Sequence, residues 1–128
     1  MMTVQYDKAS NTGVHRLVNA TRFSLRGFHA AFRHESAFRQ ETAGLLVIIP
    51  AAMWLGNDAV EVAMLISVYL LVFVVELLNS GIEAAVDHTS TEHHDLAGRA
   101  KDLGSAAVCS ALVICGLVWA AVICSRFV

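Results

Sequence analysis

Four polar residues interrupt a long apolar run: Glu76, Asn79, Glu83 and Asp87, spaced i, i+3, i+7 and i+11. At 100° per residue a helix places all four within an arc of about 80°, so the stretch from Ala59 to Asp87 carries one polar stripe on an apolar cylinder. Carboxylates at membrane depth are costly and mark function. The competing explanation, a helix end that has left the bilayer and shows a solvated face, applies more to Asp87 than to Glu76, which directly follows YLLVFVV. Oxygen ligands suit a hard cation such as Mg2+, which takes one or two carboxylates while phosphate oxygens and water complete its shell. A desolvated carboxylate also suits general-base work. The same stripe could equally line a proton or ion path.

A second group follows in EHHDLAGRAKDLGSA, where Arg99, Lys101 and Asp102 stand among small residues. Lys neutralises phosphoryl charge and glycine lets a backbone come close to phosphate. The Walker pattern and the protein-kinase signatures are absent, and basic residues at a cytoplasmic helix end also follow from topology alone. Glu35 and Glu41 flank SAFRQ. Either one joins a metal site, or Glu35 pairs with Arg39 at i+4 on a solvated face. The six histidines form no spaced zinc pattern, and Cys109, Cys115 and Cys124 have neither ligand spacing nor an obvious pairing.

The elements that must hold these residues follow from composition. Of 128 residues 56% are hydrophobic and 16% charged, with mean hydropathy +0.59; a soluble domain carries about 25% charged residues. A two-domain enzyme and a disordered chain are both excluded. No charge occurs from Thr42 to Asn57 or from Leu103 to Ser125. The polar start MMTVQYDKASNTG lacks the apolar core of a signal peptide, so the membrane segments are expected to be mature structure.

Val14, Leu17, Val18, Leu25, Phe28 and Phe32 recur at helical spacing with Arg22, Arg26 and Arg33 on another face. This predicts an amphipathic helix over 14–33 lying in a membrane interface, rather than a surface helix of a soluble bundle. Membrane-spanning helices are expected over about 37–56, with Pro50 tolerated, over 59–87, and over 103–125, with a polar connection from His88 to Asp102. The 59–87 helix, roughly 43 Å long, outreaches the ~30 Å hydrocarbon core. Lys8, Arg16, Arg22, Arg26, Arg33, Arg39, Arg99 and Lys101 place the N-terminus and the second connection in the cytoplasm, with three crossings. The expectation is a single all-α membrane domain over 1–128.

Three stretches, ESAFRQE at Glu35 to Glu41, VELLNSGIEAAVD at Val75 to Asp87, and HDLAGRAKDLGSAAV at His94 to Val108, together resemble the prokaryotic diacylglycerol kinase family, closest to its Gram-negative branch. The resemblance covers nearly the whole chain. It implies a homotrimeric, multi-pass enzyme of the bacterial inner membrane, with N-terminus and active site on the cytoplasmic side, that transfers the γ-phosphoryl of MgATP to diacylglycerol and yields phosphatidic acid. Mg2+, ATP, diacylglycerol, membrane lipid and further copies of the chain are the implied partners; nucleic acid is not. Carried over by position, the catalytic base falls on Glu76, with Asn79 on the same face, and the metal ligands on Glu35 and Glu83. Nucleotide contacts fall on Arg16, Glu35, Glu83, Glu92, His93, His94, Lys101 and Asp102. Lipid contacts fall on Arg16, Ala37, Phe38, Arg39, Gln40, Glu41, Glu76 and Ser105. The chain departs from the pattern at Phe23, where relatives commonly carry Tyr, and at His93-His94, where they carry Tyr-His. The same chemistry on undecaprenol, and a small non-enzymatic ion conductor or assembly subunit, are the alternatives.

Overall fold

In the computed structural model, which describes residues 12–89 and 94–128, four helices follow one another and no strand occurs among those residues: α1 Gly13–His34, α2 Ser36–Leu55, α3 Ala59–Thr89 and α4 Asp95–Phe127. The chain divides into two compact units, one holding α1 and the other running from Glu35 to Val128.

Helix α1 begins at Gly13, whose φ of 59° is a left-handed conformation that other residues adopt only at a cost. Val14, Leu17, Val18, Leu25, Phe28 and Phe32 are all exposed. Helix α1 therefore presents an apolar stripe beside an arginine face, the pattern of a helix that lies in a membrane interface.

In the second unit α2 and α3 are joined at Gly56, Asn57 and Asp58. The Asp58 Oδ1 accepts from the backbone N–H of Val60 at 2.8 Å and of Glu61 at 2.9 Å, satisfying donors that a helix start leaves without partners. Glu61 answers from inside the helix by accepting from the Asn57 backbone N–H at 2.8 Å and from its amide at 3.0 Å. Helix α3 packs most extensively on α4, less on α2, while α2 and α4 barely meet. Ala52, Leu55, Leu65 and Val122 form a small buried cluster, backed by Val62, Ile66, Val118 and Trp119. At the same end Arg126 donates to the Leu55 carbonyl at 3.3 Å and to Asn57 Oδ1 at 3.2 Å, closing the C-terminus of α2 with a side chain from α4.

Most of the apolar surface of this unit faces outward, including Leu46 (81% exposed), Val60 (74%) and Leu117 (66%). Such faces are stable against lipid or further protein, not against water. Helices α3 and α4 are each long and apolar enough to cross a membrane. One expectation is corrected: the connection from His88 to Asp102 is shorter than its polarity suggests. Helix α4 starts at Asp95, with the His94 imidazole accepting from the Leu96 N–H at 3.4 Å. An N-terminal cap followed by Asp95 in the first turn is enough to start the helix before the apolar stretch begins.

Candidate active site

Among the described residues Glu76 is the buried charged side chain, at 7% exposure. Its place on α3 puts it one turn beyond Phe73, itself buried. Phe73 packs edge-on against Phe38 of α2, ring centres 5.2 Å apart at 82°, which seats the start of α2 beside this part of α3.

That seating gathers carboxylates from two helices. The charges of Glu35 and Glu83 bear on Glu76, and the charge of Glu76 bears on Glu41. Glu35 caps α2 through its extended backbone, φ −104° and ψ 116°, and no side-chain cap bond occupies its carboxylate. Glu41 is half-buried, and its Oε2 has no hydrogen-bond partner. The stripe on α3 therefore interacts electrostatically with Glu35, the cap of α2, and with Glu41 in its second turn.

Asn79 lies between this cluster and α4. Its amide donates to Glu83 Oε1 at 3.1 Å, one turn along the helix, while its own Oδ1 is buried without a partner. A buried acceptor left unpaired is expensive, and sites that bind a ligand are where such a cost persists. Gly104 of α4 packs directly against that amide, and a Cβ there would run into Asn79. The glycine allows the close approach of α4 that a small residue at this position suggests, and the group it meets is Asn79.

Lys101, at the head of α4 and before the apolar stretch, pairs with Asp87, Nζ to Oδ1 2.6 Å. The hydrogen bond to Asp87 holds the Lys101 ammonium above the usual lysine range; desolvation opposes it, and the charges of Asp87 and Glu83 add to the rise. Asp87 thus has a partner across the α3/α4 seam and is 65% exposed, so its place in the stripe is at the solvated end.

The remaining expected residues are placed as follows. Ala37 is half-buried, Phe38 buried, and Arg39 and Gln40 exposed, all in the first turns of α2 before Glu41. Ser105 and Asp102 are exposed on α4, on either side of the Leu103-Gly104 step. His94 is the cap of α4. Arg16 lies on α1, in the other unit. Glu92 and His93 lie outside the described residues. One residue of this region escaped the sequence reading. Tyr69 donates through its hydroxyl to the Glu41 carbonyl at 2.9 Å, and the only signal was a polar-tipped aromatic inside an apolar run.

No three His, Cys, Asp or Glu side chains gather into a metal cage among the described residues. The carboxylates of Glu35 and Glu83 are hard-oxygen donors of the kind that suits Mg2+ shared with phosphate, not a closed structural site.

The profile of the prokaryotic diacylglycerol kinase family matches residues 22–123, a stretch that includes all four clustered carboxylates, Asn79 and Lys101. Diacylglycerol kinase of Pseudomonas aeruginosa is 50% identical over 112 residues, covering 88% of this chain and 91% of that protein. The diacylglycerol kinase of Haemophilus influenzae is 46% identical over 112 residues, covering 88% and 95%. That of Escherichia coli K12 is 44% identical over 118 residues, covering 92% and 97%. With a family match across most of its length and relatives similar from end to end, the chain belongs to the prokaryotic diacylglycerol kinase family and is an enzyme of the kinase class.

Proposed function

We infer that this chain transfers the γ-phosphoryl of MgATP to the primary hydroxyl of 1,2-diacylglycerol, giving phosphatidic acid, with Glu76 as general base. What carries the reading is a buried carboxylate, Glu76, within electrostatic reach of Glu35 and Glu83 and one helical turn before Asn79, whose amide holds Glu83.

Phosphoryl transfer asks a protein mainly for in-line positioning and for positive charge on the phosphate oxygens. Mg2+, when bound, would supply positive charge against those oxygens. Glu35 and Glu83 would hold it, and Asn79 fixes the orientation of Glu83 through the 3.1 Å bond. Lys101 supplies a further positive charge, kept protonated by Asp87. Glu76 takes the proton of the lipid hydroxyl as its oxygen bonds to the γ-phosphorus, and the bond from that phosphorus to the β,γ-bridging oxygen breaks to release ADP. Arg16, Glu92, His93, His94 and Asp102 are assigned to the nucleotide. The turn Ala37 to Glu41, with Arg16 and Ser105, is assigned to the lipid.

In this reading α2 makes a third crossing beside α3 and α4, since its apolar part is short but extends back through Ala37 and Phe38. The enzyme sits in the bacterial inner membrane with the carboxylate cluster at its cytoplasmic face, where charged ATP and apolar lipid can both reach it. Copies associate as a homotrimer, which shields the outward apolar faces and the carboxylates from lipid. The test is transfer of radiolabelled phosphate from ATP to a panel of lipid alcohols in mixed micelles. Label in phosphatidic acid, dependent on Mg2+, is expected. Label in undecaprenyl phosphate alone, or in no lipid, overturns the reading.

A further inference from the structure

We propose that Tyr69 is a positioning residue for phosphoryl transfer, a clamp that sets the carboxylates of α2 against those of α3. The proposal rests on the reading of Glu35, Glu41, Glu76 and Glu83 as the reacting site.

Tyr69, Phe73 and Glu76 share one face of α3, within an arc of about 60°. Each touches or acts on a part of α2. The Tyr69 hydroxyl donates to the Glu41 carbonyl at 2.9 Å. Its ring packs on Phe73, centres 5.9 Å apart at 64°, and Phe73 in turn packs on Phe38. Gly44, one turn after Glu41, leaves just the space that the phenol fills: a Cβ at Gly44 would strike the Tyr69 hydroxyl. A carbonyl has two lone pairs, so Glu41 can accept from Tyr69 in addition to any helical donor. In a seam of apolar residues water does not compete for that bond.

The bond ends on Glu41, whose carboxylate feels the charge of Glu76 and whose Oε2 has no partner. Phe38 fixes the start of α2, and Tyr69 fixes the next turn. Without the second point, α2 can turn about the Phe38–Phe73 contact, and Glu35 and Glu41 shift relative to Glu76 and Glu83. Misplacement of reacting groups by about 1 Å is enough to lower a rate by up to about 10²-fold.

The test is a double-mutant cycle on the full-length enzyme in detergent–lipid micelles, with kcat, the Mg2+ concentration for half-maximal rate, and the rise in unfolding temperature on adding MgATP as readouts. Tyr69→Phe keeps the ring and removes the bond; kcat is expected to fall about 10-fold, with a higher Mg2+ requirement and a smaller MgATP-induced rise. Gly44→Ala displaces the hydroxyl and should act in the same direction. The double variant should be no worse than Tyr69→Phe alone, because the added methyl then has no hydroxyl to strike. Independent, multiplying losses overturn the clamp. So does a Tyr69→Phe enzyme that merely melts earlier while kcat and Mg2+ dependence stay native; where Gly44→Ala does not fold, this single variant decides. A native Tyr69→Phe enzyme beside crippled Glu76→Gln and Glu83→Gln enzymes overturns the clamp and leaves the site reading standing. Near-native Glu76→Gln and Glu83→Gln enzymes overturn the site reading itself.

Discussion

The ammonium of Lys101 and the carboxylate of Asp87 meet at 2.6 Å across the seam between the end of α3 and the head of α4. The pair fixes a flexible four-carbon side chain at the rim of the carboxylate cluster, where the proposed polyphosphate would lie. Both groups are substantially exposed, at 41% and 65%, so the pair orients Lys101 far more than it stabilises the fold.

Lys101→Met is accordingly expected to raise the KM for MgATP much more than Asp87→Asn, which removes only the anchor and costs about 2- to 5-fold. Steady-state kinetics with varied MgATP checks this ordering; equal losses refute it. The pH dependence has a definite sign. Because the folded-state pKa of Lys101 is raised above 10.5, the pair's contribution is fully present below that value and is lost as pH rises through the higher folded value. Any ionisation seen in kcat/KM from about pH 6 to about pH 9 therefore belongs to another group.

Glu76→Gln keeps shape and hydrogen bonding but cannot accept the lipid proton. The chemical step should slow by about 10² to 10⁴ while ATP affinity stays near normal. Glu83→Gln instead weakens the proposed Mg2+ site and loses the charge that Asn79 holds, so MgATP affinity and the Mg2+ requirement should both suffer. Pre-steady-state turnover combined with nucleotide titration separates the two, and the same pattern in both variants would falsify the division.

Gly104→Ala tests the contact that seats α4 on Asn79. The added methyl must displace the Asn79 amide or push the helices apart, overpacking of a kind that costs about 1–3 kcal/mol. A lower unfolding temperature is expected together with a loss of kcat, because the displaced amide also orients Glu83. A Gly104→Ala enzyme with native kcat and native melting would show that the seam tolerates a side chain.

Replacing Arg22, Arg26 and Arg33 of α1 together by Gln should loosen its hold on an anionic leaflet, at on the order of 1 kcal/mol for each charge removed. Amide hydrogen exchange in vesicles with and without anionic lipid reads this directly. Unchanged protection of α1 would refute the interfacial role.

Much of the site was already legible along single helices. The stripe of Glu76, Asn79, Glu83 and Asp87, the amphipathic pattern of α1 and the apolar lengths of α3 and α4 all follow from a period of 3.6 residues and a rise of about 1.5 Å, which hold wherever a helix forms. Between helices no such rule exists. The approach of Glu41 to Glu76, the bond from Tyr69 to the Glu41 carbonyl, the fit of Gly104 against Asn79 and the choice of Lys101 as partner for Asp87 all depend on relative rotation and axial offset. Those offsets are decided by which side chains interlock, as when Phe38 settles on Phe73, and interlocking at dense packing is a property of two surfaces together that neither strand of sequence encodes alone. The early start of α4 at Asp95 has the same origin in part: polarity marked His88 to Asp102 as a connection, yet a cap at His94 and an ion pair from Lys101 hold its second half in the helix.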